Sequence, residues 1–325
     1  MSESAFISIC NLISCYNCFN QMGELSMKKT LLIINSMAGN GHIADYTYDF
    51  ISHLTTGDNM VTVFPIEPES GLDLSEFLKS ERFDTVIGVG GDGTFNRTIN
   101  EVMKLDYSPV VGYIPAGTTN DFSRNLGLVT DPDEACEIIR QRNTVSYDLG
   151  LFNDSYFAYV ASFGAVSSVS YSTDQASKNI LGFSAYIFNG LTLLPEILSA
   201  KCHLKIEVDD EIIEGDYLFG AIANSLSVAG FRINTLSTKD LIDGEFELFL
   251  VRRPEHFQDI PGIAVSILNN DFTNPYIEYR HITSARITTD ANTQWTLDGE
   301  YGGNPTEIEF RAVHSAISII TNRSM

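Results

Sequence analysis

The sequence predicts a two-part fold: an α/β N-terminal domain with a mainly parallel sheet, followed by a mostly β, sandwich-like C-terminal domain. Up to residue 145, short apolar runs alternate with helical patterns, which is typical of parallel sheets covered by helices. Several of these runs end in glycine-rich turns. From residue 146 onward the texture changes to successive strand-like segments, as in β-sandwiches.

We expect residues 1–26 to lie outside this fold, as a disordered extension or a misassigned start, because they show neither helical nor strand periodicity. They also lack the basic region and the longer apolar stretch of a signal peptide. The first domain then covers residues 27–145 and the second covers residues 146–315. The last strand, within residues 316–322, is expected to return to the first domain.

Apolar periodicity predicts the elements of the first domain in order. Strands are expected over residues 30–35, 61–64 and 110–114, and another is expected to begin at Val86 and to lead into the glycines at 90–91. Helices are expected over residues 43–54, 73–80 and 132–141. A further helix is expected to begin after Gly93, and another to end at Gly127.

The second domain is predicted to consist mostly of strands. They are expected over residues 147–152, 156–163, 202–208, 217–224, 245–251, 285–289, 295–297, 307–310 and 316–321. The uncharged stretch 179–195 predicts a helix, and it is short for a membrane span of about 20 apolar residues. A buried helix, with some side chains bordering a lipid-binding cleft, is one interpretation, and an all-core helix is the other.

Composition narrows the function classes. The chain is 44% hydrophobic and 19% charged, which is typical of a globular protein. Its formal net charge of −22 argues against nucleic acid as a partner and against strong electrostatic docking on anionic membranes. Five scattered cysteines give no disulfide framework, so we expect a reducing, cytoplasmic setting. The single Cys15-x-x-Cys18 pair has no partner motif for zinc.

The most informative stretch is Gly90-Gly91-Asp92-Gly93-Thr94, which joins an apolar strand to a helix. Glycines allow close approach of the backbone, so the N–H groups at the helix start can face an anion. A carboxylate there would repel bare phosphate, but it suits a site in which Asp92 holds Mg²⁺ between itself and phosphate oxygens. An ordinary tight strand–helix turn is the alternative.

Two further loops follow strands and are expected at the same edge of the sheet. Residues 36–41, after Asn35 and including Gly39, could bring more N–H groups to a nucleotide, or form a plain loop. In residues 115–124, Thr118 and Asn120 could bond the nucleotide, whereas helix capping alone is the simpler interpretation.

Three motifs in this order resemble those of the bacterial diacylglycerol kinase family of soluble lipid kinases: Gly90–Thr94 with Asn96, PAGTTNDF over 115–122, and LDGE over 297–300. The resemblance covers about residues 28–322 and implies an active site in a cleft between the α/β nucleotide domain and the β-rich domain. It also implies ATP-dependent phosphorylation of a lipid hydroxyl, most simply diacylglycerol to phosphatidic acid. It implies Glu300 as the general base, with Asp92 and Asp298 also catalytic. From the residues alone, Asp298-Gly299 is a common turn pair, so an ordinary hairpin turn is the alternative. The nucleotide-binding residues that the resemblance implies are Asn35, Gly39, Gly91, Asp92, Gly93, Thr94, Phe95, Asn96, Thr118 and Asn120.

The segment KDLIDGE, residues 239–245, resembles a family segment that holds a structural Mg²⁺. The implied ligands are Asp240, Asp243 and the backbone carbonyl of Glu245. From the residues alone, two nearby carboxylates could chelate a hard cation or be solvated turn acids.

Two alternative functions remain open at this point. An NAD kinase shares the first motif, but the 115–122 and 297–300 motifs count against it. A non-catalytic lipid-binding relative is disfavoured because Asp92 and Glu300 are both present. The resemblance further implies a lipid presented at a membrane surface, peripheral and transient contact with that membrane, a role in phospholipid biosynthesis, and a homodimer as one oligomeric state.

Overall fold

The computed structural model describes residues 27–38, 43, 45–67, 71–117, 120, 122–123, 128, 131–164, 202–225, 227–228, 231–232 and 238–322. The helices in this part are α1 (Thr47–Leu54), α2 (Leu74–Ser80), α3 (Asp92–Val102), α4 (Pro132–Gln141) and α5 (Ile260–Leu268). The strands are β1 (Lys28–Asn35), β2 (Asn59–Ile66), β3 (Thr85–Gly90), β4 (Val110–Pro115), β5 (Thr144–Phe152), β6 (Ser155–Phe157), β7 (Val160–Gly164), β8 (Cys202–Val208), β9 (Glu211–Ala223), β10 (Ser227–Val228), β11 (Phe231–Arg232), β12 (Phe246–Arg252), β13 (Ile277–Ile282), β14 (Ser284–Thr289), β15 (Trp295–Leu297), β16 (Glu300–Gly303) and β17 (Glu307–Ile320).

The first half is a parallel sheet covered by helices on both faces. Strands β2, β1, β3 and β4 lie side by side, and each pair is parallel. Phe95 and Ile99 of α3 pack on one face together with α2, while Phe50 of α1 and Ile139 of α4 pack on the other. Because both faces are buried, the strands are continuous apolar runs, and β3 is buried along its whole length.

Strand β17 joins the parallel sheet to the second half. It pairs antiparallel with β14 and β5, and through Ile319 it pairs parallel with Val111 of β4. The prediction of two separate strands, over 307–310 and 316–321, is therefore wrong. Both belong to one strand, whose pairing with β5 shifts register between Val313 and Ile317. The residues at this register shift interrupt the strand-like pattern of the sequence, and the sequence therefore predicts two strands.

The second half is mostly β, and its strands surround one apolar core. Side chains from β5 to β9, β12 to β15 and β17 contribute to it, with Trp295 and Tyr217 among the largest fully buried ones. On the outer face of the sheet, Ile263 and Ile267 of α5 pack against Phe219 and Phe249. The predicted fold class, an α/β domain followed by a mostly β, sandwich-like domain, is confirmed.

Several details differ from the sequence-based prediction, which did not include strands β10, β11, β13 and β16. The strand expected over 156–163 is two strands, β6 and β7, because the backbone N–H groups of residues 158–160 donate to a side chain and not to a neighbouring strand. Helix α5 was not predicted, since its run IPGIAVSIL shows no polar face. Residues 1–26, the helix over 179–195 and most of the helix up to Gly127 lie outside the described residues.

Within the described part of the chain, no helix is both long and apolar enough to cross a bilayer. Two cysteines in this part, Cys136 and Cys202, are free and buried. Burial raises the pKa of the Cys136 thiol to about 12, so this thiol is protonated at neutral pH.

Two glycines with opposite surroundings test the packing of the second half. A Cβ at Gly220 would lie 2.7 Å from Leu250 Cδ2 and closer still to the Phe163 ring, whereas nothing lies within 4 Å of a Cβ at Gly262 in α5. Gly220→Ala should therefore lower the free energy of unfolding by about 1–3 kcal/mol through overpacking. Gly262→Ala should raise it by about 0.5–1 kcal/mol, because alanine favours the helix. Urea denaturation of both variants measures this, and equal stability of Gly220→Ala and wild type would contradict the packing.

Candidate active site

Three loops meet at the carboxyl ends of the parallel strands. The loop after β3 and the loop after β4 touch backbone to backbone, since a Cβ at Gly117 would lie only 2.6 Å from the Cα of Gly91. The loop after β1 joins them through Asn35, whose Nδ2 donates to Thr94 Oγ1 at 3.2 Å. The sequence-based expectation that these loops share one edge matches this arrangement. Gly39, in the first loop, lies outside the described residues.

Helix α3 begins at this junction with Asp92 and Gly93. Its first backbone bond runs from Phe95 N to Gly91 O at 3.1 Å, so the N–H groups of residues 92–94 are not used within the helix. The Phe95 ring is buried and stacks on Phe122 at 4.4 Å between centroids. The Phe95 ring therefore fixes the start of the helix to the core of the first half, and it does not face the cleft.

Asn120 shapes the loop after β4. Its Oδ1 accepts from Gly117 N at 2.9 Å and its Nδ2 donates to Gly117 O at 2.7 Å. The residue is 5% exposed and its φ of 48° is left-handed, a conformation that asparagine tolerates better than most residues. Both ends of the side chain are thus engaged within the loop. Thr118, which the resemblance assigns to the nucleotide, lies outside the described residues.

A β-hairpin of the second half brings Glu300 to the start of α3. Asp298 and Gly299 form its two-residue turn, with φ values of 51° and 83° as in a type I′ turn. Glu300 follows the turn, and its carboxylate lies against Gly93, where a Cβ would be 3.0 Å from Glu300 Cδ. A side chain at position 93 would displace the Glu300 carboxylate from this position. The segment is therefore both a hairpin turn and part of the candidate site.

The turn is held in place by the buried side chain of Asp298, which is 3% exposed. Its Oδ2 accepts from Asn96 Nδ2 at 2.8 Å and from Ala158 N at 2.7 Å. Its Oδ1 accepts from Tyr159 N at 2.9 Å and from Val160 N at 3.1 Å. Burial raises the pKa of Asp298, and these four N–H donors oppose the rise because they stabilise the carboxylate.

This geometry combines a helix N-terminus with a solvent-accessible carboxylate. The N–H groups at the start of α3 favour an anion such as a phosphate. Asp92 and Glu300 supply oxygen atoms, which are the ligands that Mg²⁺ prefers. Glu300 is exposed, so it can reach a group that enters the cleft from solvent. The arrangement can therefore bind a phosphate–metal complex and place a base beside it.

The predicted metal ligands lie in a separate loop between β11 and β12. Asp240 belongs to the short 3₁₀ segment Thr238–Ile242, and Asp243 Oδ1 accepts from Glu245 N at 2.9 Å. Among the described residues, no three His, Cys, Asp or Glu side chains are grouped as a metal site. The predicted set consists of two carboxylates and one backbone carbonyl, and it stays a prediction.

Sequence reasoning missed two buried residues that anchor this loop. Asp148, fully buried in β5, accepts from Gly244 N at 2.7 Å and from Ser315 N at 2.6 Å. Asn224 donates through Nδ2 to Leu241 O at 3.1 Å. The available signal was an aspartate inside the apolar run of β5, which indicates a buried and therefore partnered charge.

The loop is also strongly acidic. Burial raises the pKa of the neighbouring Glu247 to about 8, and the charges of Asp243 and Asp240 add to the rise. Several carboxylates thus share one region, a situation that a cation would relieve.

Comparisons with known proteins identify the family of the chain and its fold. The sequence profile of the family "Diacylglycerol kinase catalytic domain" matches residues 29–152. A diacylglycerol kinase from Staphylococcus saprophyticus is 34% identical over 224 residues, which cover 69% of this chain and 72% of that protein. One from Staphylococcus epidermidis is 30% identical over 279 residues, covering 85% and 87%. The fold also matches a crystal structure of a diacylglycerol kinase from Bacillus anthracis, with a TM-score of 0.69, 21% identity, and 91% and 97% of the chains covered.

The four-donor arrangement at Asp298 gives a direct prediction. In Asp298→Asn an amide NH₂ replaces one carboxylate oxygen and faces N–H donors, so the free energy of unfolding should fall by roughly 1–3 kcal/mol. Asparagine tolerates the left-handed backbone, so the turn itself is not the cause. The matched control is Asp209→Asn, an exposed hairpin aspartate with φ 50°. Thermal melting measures both, and a melting temperature unchanged in Asp298→Asn would disprove the role of these bonds.

Proposed function

The chain belongs to the diacylglycerol kinase family and is a lipid kinase, and from this premise we propose that it transfers the γ-phosphate of ATP to the hydroxyl of diacylglycerol, giving phosphatidic acid. The observation that carries the proposal is the contact of the Glu300 carboxylate with Gly93. It brings a base of the second half against the glycine loop of the first half, which is the juxtaposition that phosphoryl transfer to an alcohol requires.

ATP would bind with its phosphates at the start of α3. The N–H groups of residues 92–94 point out of the helix end, and the helix dipole adds a partial positive charge there. Because Gly91 and Gly117 have no side chains, the two loops pack backbone to backbone at the start of α3. Asn35 contributes by fixing Thr94 and the loop after β1 to the same junction.

Asp92 is the residue we assign to Mg²⁺. It stands at the first position of α3, and its Oδ1 accepts a long bond of 3.3 Å from Phe122 N. Mg²⁺, when bound with ATP, neutralises the charge that develops on the transferred phosphoryl group. The donor set fits, since carboxylate oxygens are hard ligands.

Glu300 is assigned as the general base. The acceptor hydroxyl of a lipid is neutral and must lose its proton as its oxygen bonds to phosphorus, and an exposed carboxylate next to the phosphate loop can accept that proton. Asp298 is assigned a positioning role, because its carboxylate is buried and accepts four N–H bonds. It holds the turn from which Glu300 projects.

The loop of Asp240, Asp243 and Glu245 is proposed to bind a structural Mg²⁺ apart from the phosphates. Its support is the concentration of negative charge around Glu247 and the firm anchoring of the loop by Asp148. A cation there would stabilise the loop that leads into β12. Since Asp148 also bonds Ser315 of β17, the loop is tied to the strand that joins the two halves.

Substitution of the two catalytic carboxylates tests the proposed reaction. Glu300→Gln should lower kcat by roughly 100- to 10,000-fold, the range for loss of a general base, and should leave ATP binding intact. Asp92→Ala should abolish turnover through lost Mg-ATP binding. Phosphate transfer from labelled ATP to diacylglycerol in mixed micelles measures the rate, and calorimetry measures nucleotide affinity.

The matched control is Glu307→Gln, an exposed glutamate at the start of β17 that should behave like wild type. Near wild-type turnover in Glu300→Gln would refute Glu300 as the base. Transfer to NAD, sphingosine or ceramide in preference to diacylglycerol would refute the proposed acceptor.

Metal removal tests the proposed structural Mg²⁺. Mg²⁺ should raise the melting temperature of the nucleotide-free protein relative to EDTA, and Asp243→Asn should weaken that effect. Asp92→Ala should retain it, since Asp92 belongs to the other site, and so should Asp154→Asn, an exposed turn aspartate. A wild-type melting curve that does not respond to Mg²⁺ would mean that Asp240 and Asp243 are solvated surface acids.

A further inference from the structure

Two asparagines one turn apart on α3 connect this helix to the second half. Asn96 Nδ2 donates to Asp298 Oδ2 at 2.8 Å and lies 3.2 Å from Tyr156 O. Asn100 contacts the same strand more fully: its Oδ1 accepts from Tyr156 N at 2.9 Å, and its Nδ2 donates to Tyr156 O at 2.9 Å. A single side chain thus satisfies both backbone groups of Tyr156.

Within the described part of the chain, β6 has a neighbouring strand on one side only, and Asn100 takes the place of the other neighbour. Strand β6 pairs with β5 on one side, where Tyr156 lies opposite Leu151. On its other side the N–H and C=O of Tyr156 are met by Asn100, much as a further strand would meet them. Two hydrogen bonds therefore hold β6 against α3, one accepted by Asn100 Oδ1 and one donated by Asn100 Nδ2.

The bonded path runs on from β6 to the catalytic hairpin. Two residues after Tyr156, the N–H of Ala158 donates to Asp298, followed by those of Tyr159 and Val160. Asp298 is two residues before Glu300. Asn100 lies eight residues after Asp92 on the same helix, about 12 Å along its axis, so it does not reach the phosphate loop itself.

We propose that Asn100 is a positioning residue, which sets the distance between the Glu300 carboxylate and the phosphate loop through β6 and Asp298. The proposal rests on the proposed function of Glu300 as base. Helix α3 carries the phosphate loop at one end and Asn100 near the other, so the same helix positions both the phosphate loop and the segment that holds Asp298. Asn96 makes the direct contact to Asp298, and Asn100 fixes the segment that supplies the other three donors.

The first test compares two isosteric variants. Asn100→Asp keeps the acceptor for Tyr156 N but loses the donor to Tyr156 O. Asn153→Asp makes the same change where Asn153 accepts from Glu309 N at 2.8 Å and donates to Glu307 O at 3.2 Å, in a turn between β5 and β6. Asn100→Asp should lower kcat about 10- to 100-fold with the KM for ATP within about twofold, since displacing a reacting group by about 1 Å can cost about 100-fold. Asn153→Asp should leave kcat unchanged.

A double-mutant cycle separates positioning from general destabilisation. If Asn100 acts through Glu300, Asn100→Ala should lower kcat in wild type but have little further effect in Glu300→Gln. Multiplication of the two effects would overturn the proposal. The Ala variant also excludes an effect of the charge added in Asn100→Asp.

Hydrogen exchange gives a readout that does not depend on activity. In Asn100→Asp the amides of residues 158–160 and 298–301 should exchange faster than in wild type, whereas in Asn153→Asp they should not. Unchanged exchange there would overturn the proposal even for an active enzyme. The two proposals can fail separately. If the wild type does not phosphorylate diacylglycerol but Asn100→Asp still speeds exchange at these amides, the proposed function is refuted, whereas the link from Asn100 to the Asp298 hairpin is supported.

Discussion

The buried carboxylate of Asp298 is the interaction on which the candidate site depends. Four N–H groups converge on its two oxygens, one from helix α3 and three from the link between β6 and β7. Removing a carboxylate from water is unfavourable, and only a full set of donors offsets that cost. The same donors come from both halves of the molecule, so the bonds that stabilise the charge also align the hairpin with the helix. Glu300 owes its place beside Gly93 to this one buried group.

Much of the architecture follows from local sequence. Continuous apolar runs predicted the parallel strands, and Pro132, which suits the first turn of a helix, marked the start of α4. The glycine loop and the Asp298-Gly299 turn were recognisable because each needs particular residue types at fixed spacing. The partners of those residues were not recognisable. The donors to Asp298 lie about 140 and 200 residues away along the chain, and no local pattern reports such a distance. Asn120 differs in that its observed partner is local: its side chain bonds Gly117, three residues away, which agrees with a loop-capping role. Its contact with a nucleotide stays a prediction.

The site reconciles a strongly acidic chain with a phosphorylated substrate. At a net charge of −22, a cleft lined by lysine and arginine would be an exception to the general surface. The glycine loop offers backbone N–H groups instead, which carry no net charge and cannot be titrated away. In the proposed mechanism Asp92 supplies the negative charge that draws a divalent cation to the phosphates. An acidic protein is then no obstacle, because the metal and the helix end carry the positive potential.

Strand β17 has a consequence for the order in which the molecule can assemble during synthesis. The strands β1 to β4 leave the ribosome early, yet the neighbour that completes β4 on its outer side is the end of β17, which finishes at Ile320. Until β17 emerges, β4 remains an open sheet edge, the kind of edge that pairs with strands of other molecules. The usual sequence of events, in which an N-terminal domain closes before the next is made, is therefore unavailable to this chain. The parallel sheet of the first half is thus translated before the second half but is completed only when β17 pairs with β4.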